Sequence, residues 1–450
     1  VYITCSVWRN DDQAGVNGGF HKMRHRVLTF IMAGGKGERL WPLTKDRTKP
    51  AVPFGGIYRI IDFTLSNCIN SGLRKIYVLT QYKSASLQRH IRLGWNILPS
   101  ELAQFIELLP AQQRIGDTWY LGTADAIYQN LYTLEMDNPD EVLILAGDHV
   151  YKMNYYTLMD FHRQAEADLT VGVVEVDKDK TSHLGVVEVD SLGRVTGFQE
   201  KPTKPKTIPH NLDKVYASMG IYVFKHPVLE QELQEDAKKN DSTHDFGKDI
   251  IPQMFKKGLK VVAFNFSRHT IIEQGESGCI IDGRAGIDEN KKDAQYWRDI
   301  GTIDAYYEAN MDLVQVDPTF NLYDKEWPIR TYQEQFPPLK TVHSGDVIAG
   351  RVGLALDSLI SGGCVVSGGR VQRSILSPNV RINSYSEVYD SILMEGVNVG
   401  RSAKIKKAII DKDVNIPQGA VIGYNLEEDK KRFYLTESGI VVVAKGTEIK

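Results

Sequence analysis

The sequence predicts an α/β domain built on a mostly parallel sheet, followed by a domain of hexapeptide repeats. Two rhythms in the chain predict this. From residue 27 to about 320, short apolar runs alternate with helical patterns, as in a parallel sheet wrapped by helices. After residue 346, aliphatics recur every six residues (Ile382, Val388, Met394; Val399, Ile405; Ile410, Ile416, Ile422) with two slips of five, and small residues such as Ser386 and Ala403 keep the beat. A six-residue period suits neither a helix nor an ordinary strand. It marks a parallel β-helix in which three units make one triangular turn; an irregularly spaced β-sandwich is the plainer alternative.

Taken in order, residues 1–22 show no period and no signal-peptide arrangement, and they read as an upstream extension without order. The apolar run at residues 27–32 reads as a buried strand. It opens into MAGGKGERLWPLTKDRTKP, with Gly34, Gly35 and Gly37 around Lys36, then Arg39, then Lys49 between Thr48 and Pro50. Glycines after a strand let backbone N–H groups close on a phosphate chain, and fixed cations neutralise that chain. The pattern matches neither GxxxxGK[ST] nor GxGxxG, so a polyphosphate site rests on what the rest of the chain adds. Further strand-like runs cover 75–80, 141–146 and 169–174, with helix candidates at 125–136 and 154–166. Ligands in such sheets bind at the carboxyl ends of strands, so the glycine loop and Ala146-Gly147-Asp148-His149 should open onto one edge. Before the helix at 125, Thr123 is placed to cap it, and Gly122 permits close backbone approach. The catalytic domain therefore spans 23–320. Residues 321–345, broken by Pro328, Pro337 and Pro338, read as a linker, and 346–450 as the repeat domain.

Composition limits the function. The chain has 450 residues, 42% hydrophobic and 25% charged, with a net charge of −3. Those are ordinary soluble values that point to neither nucleic acid nor an anionic membrane. Cys5, Cys68, Cys279 and Cys364 form no CxxC pair, so structural zinc and a disulfide framework are not expected, and a reducing cytoplasm fits. Repeat coils stack on neighbours, so a homo-oligomer is expected.

Two carboxylates can do chemistry. Asp148 ends the run EVLILAGD, and Asp299 lies in the turn YWRDIGT. Together they can hold Mg²⁺, which takes one or two carboxylates plus phosphate oxygens and water; either alone reads as a strand-end cap or a surface ion pair. Lys201, after Glu200 and locked ahead of Pro202, is placed for a second anion. His149, Trp41 and Cys68 read as packing. If these pieces converge, Arg39, Lys49, the glycines and Mg²⁺ bind a triphosphate while Lys201 binds a monophosphate. The monophosphate oxygen then attacks the α-phosphorus and pyrophosphate leaves, with rate gained from positioning and charge neutralisation.

With these residues in view, the chain resembles the glucose-1-phosphate adenylyltransferases (ADP-glucose pyrophosphorylases) of bacteria and plants. The resemblance covers roughly residues 27–445 and is carried by MAGGKGERLWPLTKDRTKPAVPFGG, RIIDFTLSNCINSG, LLPAQQR, WYLGTADAIYQN, ILAGDHVYKM, SMGIYVF, HDFGKDIIP, YWRDIGTIDAYYEAN and KRFYLTESGIVVV. It implies a Rossmann-like domain and a left-handed β-helix, a homotetramer, Mg²⁺, and formation of ADP-glucose and pyrophosphate from ATP and glucose 1-phosphate for glycogen synthesis. It implies Arg39, Lys49 and Asp148 as catalytic residues, and Asp148 with Asp299 as metal ligands. Nucleotide would meet Gly34, Gly35, Gly37, Gln113 and Gly122; glucose 1-phosphate would meet Tyr120, Gly185, Glu200, Lys201 and Ser218. Phosphorylated effectors would act through Arg47, Arg59, Lys412 and Lys445, with Gln81 and Trp119 relaying the signal. The chain departs from fructose-bisphosphate-activated relatives by carrying Asp46 and Pro53 where they carry a lysine and a histidine, which predicts weak activation by that effector. The segment from Arg268 to Gln295 is longer and more Gly-rich than the family pattern. A pyrophosphorylase for another nucleotide or sugar, and a non-catalytic regulatory subunit, are the competing readings.

Overall fold

The computed structural model describes residues 25–112, 117–181, 184–190, 193–209, 211–266, 296–343 and 351–449. The readings made for residues 1–22, for Gln113 and for the 268–295 segment lie outside the described residues.

The first strand, Val27–Met32, is buried along its apolar run. It pairs in parallel with Lys75–Thr80 on one side and with Glu141–Ala146 on the other, and Lys75–Thr80 pairs in parallel with Phe105–Pro110 at the sheet edge. Two apolar clusters cover the two faces, one with Ile31, Val78 and Leu145, the other with Leu28, Phe30 and Ile144. This two-sided burial is why these strands read as continuous hydrophobic runs. Among the described residues the sheet has nine strands. Beyond Glu141–Ala146 the pairing turns antiparallel: Lys214–Lys225 runs against Glu141–Ala146, Leu169–Asp177 and Gly185–Val189. That antiparallel half was not evident from the rhythm of the sequence.

The helices are shorter than the sequence pattern suggests. The one expected at 125–136 is two, Thr123–Tyr128 and Leu131–Asp137. At the break, Gln129 Nε2 donates to Asp125 Oδ2 at 2.8 Å and Asn130 Nδ2 to the Ala126 carbonyl at 2.8 Å. The N-cap is Gly122, not Thr123. The Thr123 hydroxyl instead donates to Asp245 Oδ2 and accepts from Phe246 N, at 2.9 and 3.1 Å. The helix expected at 154–166 is Tyr155–Gln164, capped by the Asn154 side chain.

The stretch read as a linker packs against the first domain. Trp327 Nε1 donates to Asn67 Oδ1 at 2.8 Å, and Arg330 N to Ser66 Oγ at 2.8 Å. Its end is already part of the repeat domain, because strand Lys340–Val342 pairs with Val365–Ser367. The repeat domain is three stacks of short parallel strands, consistent with a left-handed β-helix. Early coils advance 16 residues, as in Leu354↔Arg370 and Leu359↔Ile375, and later ones 17, as in Arg381↔Asn398, Val388↔Ile405 and Ile392↔Ile409. The hexapeptide aliphatics are at most 2% exposed: Ile382, Val388, Val399, Ile405, Ile410, Ile416 and Ile422 fill the β-helix interior, whereas Met394, read as part of the same series, joins the cluster between the domains with its Sδ 3.8 Å from Arg47 Nη1. Each such side chain contributes about 1.5–3 kcal/mol by burial. A third cluster joins the domains, with Leu40, Leu43, Val52 and Ile303 against Ile375, Ile392, Ile409 and Val442.

Candidate active site

The first strand ends in a glycine loop that folds back on the chain after it. Gly37 has φ +65°, and a Cβ there would stand 3.1 Å from Lys49 Cβ and from Thr44 Cγ2, so both backbone conformation and space call for glycine. It opens the single 3₁₀ turn Glu38–Leu40, which leaves Arg39 exposed. Thr44 Oγ1 donates to the Gly37 carbonyl at 2.9 Å and Thr48 Oγ1 to the Ala33 carbonyl at 3.2 Å. Lys49 then starts a second 3₁₀ turn with Pro50 and is buried.

Sheet pairing brings the two carboxylates together. Asp148 follows strand Glu141–Ala146, and the short strand His149–Tyr151 after it pairs antiparallel with Trp297–Asp299, setting Asp299 opposite His149. Lys49 Nζ lies 2.9 Å from Asp148 Oδ2 and 2.9 Å from Asp299 Oδ1. Burial alone would lower the Lys49 pKa, but the two aspartates outweigh it and the net direction is up. Burial pushes Asp148 the other way, upward; Lys49, His149 and Arg39 overcome it and hold its pKa near 2. Asp148 is therefore ionised at neutral pH. Arg39 completes the group, because a Cβ on Gly301 would meet its guanidinium nitrogens at 3.3 Å and Asp299 Oδ2 at 3.0 Å.

Arg39, Lys49, Asp148 and Gly301 line one cavity of about 750 Å³, together with Gly34, Gly35, Gly37, Gln81, Tyr120, Gly122, Thr123 and Asp245. Gly122 is needed on steric grounds, since a Cβ there would stand 2.2 Å from the His244 carbonyl oxygen. One oxygen each from Asp148 and Asp299 and a ring nitrogen of His149 lie within 4.8 Å of one another. Two carboxylates this close together, one of them lining a cavity with room for phosphate oxygens and water, suit a hard divalent cation such as Mg²⁺.

Of the residues expected to bind glucose 1-phosphate, Tyr120 precedes helix Thr123–Tyr128 and lines the cavity itself, while Gly185, Glu200, Lys201 and Ser218 lie on or beside the antiparallel strands. Gly185 pairs with Glu200, and Lys201 follows with φ +50° and its Nζ 3.1 Å from Glu200 Oε1. Ser218 sits at a register shift in Lys214–Lys225. Two residues on, a Cβ on Gly220 would come within 3.9 Å of His149 Cε1, which brings this part of the strand near His149.

The expected effector residues divide. Arg47, Arg59, Lys412 and Lys445 line a second cavity of about 710 Å³ between the domains, with Asp46, Pro53 and Arg89. Three of the four cations are paired there: Arg47 with Asp411 at 2.8 Å, Lys412 with Glu395 at 2.5 Å and Lys445 with Asp413 at 3.0 Å. Burial lowers the pKa of Arg59, with Arg47 and Arg89 adding to it against Asp62. Burial lowers Lys412 as well. Gln81 is not in this cavity. It lines the first one, and its Nε2 donates to the Tyr120 carbonyl at 3.5 Å. Trp119 is exposed beside Tyr120.

A nucleotidyl transferase family model matches residues 28–316, and one for the C-terminal hexapeptide of GlmU-like proteins matches 337–443. A glucose-1-phosphate adenylyltransferase of Koribacter versatilis is 54% identical over 93% of this chain and 95% of its own length. One of Rhodopirellula baltica is 50% identical over 96% and 93%, and one of Methylococcus capsulatus 49% over 94% and 94%. The chain belongs to the glucose-1-phosphate adenylyltransferase family. For a member of that family, three side chains had no role in the sequence reading that their positions now suggest. His149 is not only packing: its Nε2 faces Asp148 Oδ1 at 3.5 Å and Asp299 Oδ1 at 3.8 Å. Asp245, in HDFGKD, holds Thr123 against the cavity. Trp41 reaches across to Tyr434. Adjacency to Asp148 is the one sequence signal that pointed to His149; the other two depend on contacts far apart in the chain.

Proposed function

We propose that the chain transfers the adenylyl group of ATP to α-D-glucose 1-phosphate, releasing pyrophosphate. The observation that carries this is the Lys49 ammonium clasped by Asp148 and Asp299 at the mouth of the glycine loop, with Arg39 beside them. The glycines admit the triphosphate to the backbone. Lys201 and the groups around it hold the sugar phosphate so that its oxygen attacks the α-phosphorus, and the bond to the β-phosphate breaks with its electrons leaving on pyrophosphate. Arg39 and Lys49 neutralise the charge that builds on the transferred group, while the cavity walls fix the in-line approach. Mg²⁺ held by Asp148 and Asp299 would add Lewis-acid neutralisation of the phosphates.

The same reading places phosphorylated effectors in the interdomain cavity. Its cations suit anions, while Asp46 and Pro53 in place of a lysine and a histidine favour an effector other than fructose 1,6-bisphosphate. It also makes the protein a cytoplasmic homotetramer of glycogen synthesis; among the described residues no helix is long and apolar enough to cross a membrane. The test is pyrophosphate release with ATP, UTP, dTTP and GTP in turn, each with glucose 1-phosphate. ATP should win by at least tenfold, and equal or better turnover with UTP or dTTP would overturn the assignment.

A further inference from the structure

Both cations assigned to the transfer lie two residues from a contact with the β-helix. Arg39 is followed by Trp41, whose ring meets Tyr434 edge-on with centroids 5.5 Å apart. Lys49 is preceded by Arg47, whose Nη2 donates to both carboxylate oxygens of Asp411 at 2.8 and 2.9 Å. Leu40, beside Arg39, and Leu43, between these contacts, are buried in the cluster shared with the β-helix. The segment carrying both cations is therefore held from the second domain at several points.

The Arg47–Asp411 pair is the most directional of these contacts. Arg47 is 5% exposed and Asp411 2%, so the pair is shielded from solvent screening. Asp411 is itself anchored: its backbone N–H donates to the Val443 carbonyl at 2.9 Å, and its Oδ1 also accepts from Lys412 N at 2.7 Å. Buried ion pairs are poor sources of net stability, because desolvation offsets their attraction. What such a pair can supply is a fixed position, and displacing a reacting group by about 1 Å can cost about 10²-fold in rate.

We infer that Asp411 is a positioning residue for the transfer reaction: through Arg47 it sets where Lys49 stands between Asp148 and Asp299. This rests on the reading that Lys49 acts on the transferred phosphoryl group. It also gives Arg47 a structural partner inside the protein, beside the effector-binding role expected from the sequence.

The experiment measures pyrophosphate release with no phosphorylated effector present, on the full-length wild type, Asp411→Asn, Arg47→Gln and the double variant, with melting temperatures taken in parallel. Asp411→Asn should lower kcat at least tenfold and leave KM for glucose 1-phosphate within twofold, because most residues assigned to the sugar phosphate lie on the other half of the sheet. The double variant should be no slower than the slower single one, since both changes break one link. A folded Asp411→Asn with kcat within twofold of wild type would overturn the inference, and so would single effects that multiply in the double. If Asp411→Asn does not fold, the double variant, which leaves no unpaired buried charge, decides: lowered kcat with unchanged KM supports the inference, and wild-type kcat overturns it. A wild type that releases no pyrophosphate from ATP and glucose 1-phosphate would sink the functional reading and this inference together. An active wild type that Lys49→Met silences but Asp411→Asn does not would sink the inference alone.

Discussion

Replacing Lys49 with Met removes the ammonium from between two carboxylates and keeps the side-chain volume. Removing one partner of a buried ion pair costs about 3–5 kcal/mol, because the remaining charge is left uncompensated. Here two carboxylates are left, but they are not equally sheltered: the Asp299 side chain is 17% exposed and that of Asp148 34%. Water reaches Asp148, so the low end applies, and the expected loss is about 3 kcal/mol. The loss of turnover should be larger than that of stability. Taking one charge-stabilising donor out of a preorganised site costs about 10²–10³ in kcat. Lys49→Arg should fail too, because a planar guanidinium cannot take the place of a compact ammonium lying 2.9 Å from an oxygen on each side. The assay is initial-rate pyrophosphate release at saturating ATP, with calorimetric melting of each variant. A folded Lys49→Met enzyme retaining more than a tenth of wild-type kcat would refute the reasoning, as would a melting temperature equal to that of wild type.

Three further outcomes are expected. Gly122→Ala forces a Cβ to within 2.2 Å of a backbone carbonyl; overpacking of this kind costs about 1–3 kcal/mol, and opening the loop against Thr123 should raise KM for ATP at least fivefold, so an unchanged KM and melting point would count against the close packing. Burial lowers the pKa of His162 from 6.5 to about 4, so the stability held by its neutral form is complete above pH 6.5 and fades as pH falls toward 4. That amounts to about 3 kcal/mol at roughly 1.4 kcal/mol per unit, and His162→Gln should flatten the acid limb of the melting-temperature curve, while identical limbs would dismiss the effect. Lys201→Ala should raise KM for glucose 1-phosphate at least tenfold with little change in KM for ATP, and a KM within twofold of wild type would remove Lys201 from that site.

What could be read in advance divides along physical lines. The strand at 27–32, the glycine loop and the hexapeptide interior were legible because each depends on local chemistry: buried apolar runs, a left-handed glycine, a fixed spacing of aliphatics. Arg39, Lys49 and Asp148 could be nominated from residue type and strand-end position, and Asp299 from its turn. Their meeting could not, because it depends on the antiparallel pairing of His149–Tyr151 with Trp297–Asp299, which joins segments about 150 residues apart. The pairing of Arg47 with Asp411 was hidden for the same reason, since Asp411 lies 364 residues away. Thr123 looked like a cap because it precedes a helix, but a partner from another loop, Asp245, claims its hydroxyl.

Late in the chain the β-helix departs from its own period. From Ile410 the next strand in the stack is reached at Val443, a step of 33 residues where its neighbours take 17. The surplus chain forms the helix Leu426–Arg432 and the strand Tyr434–Leu435, and Tyr434 is the ring against Trp41. A solenoid of uniform coils presents only its own smooth wall. This detour gives it an arm, and trimming the arm to restore the regular period should leave the prism standing while loosening its grip on the neighbouring domain.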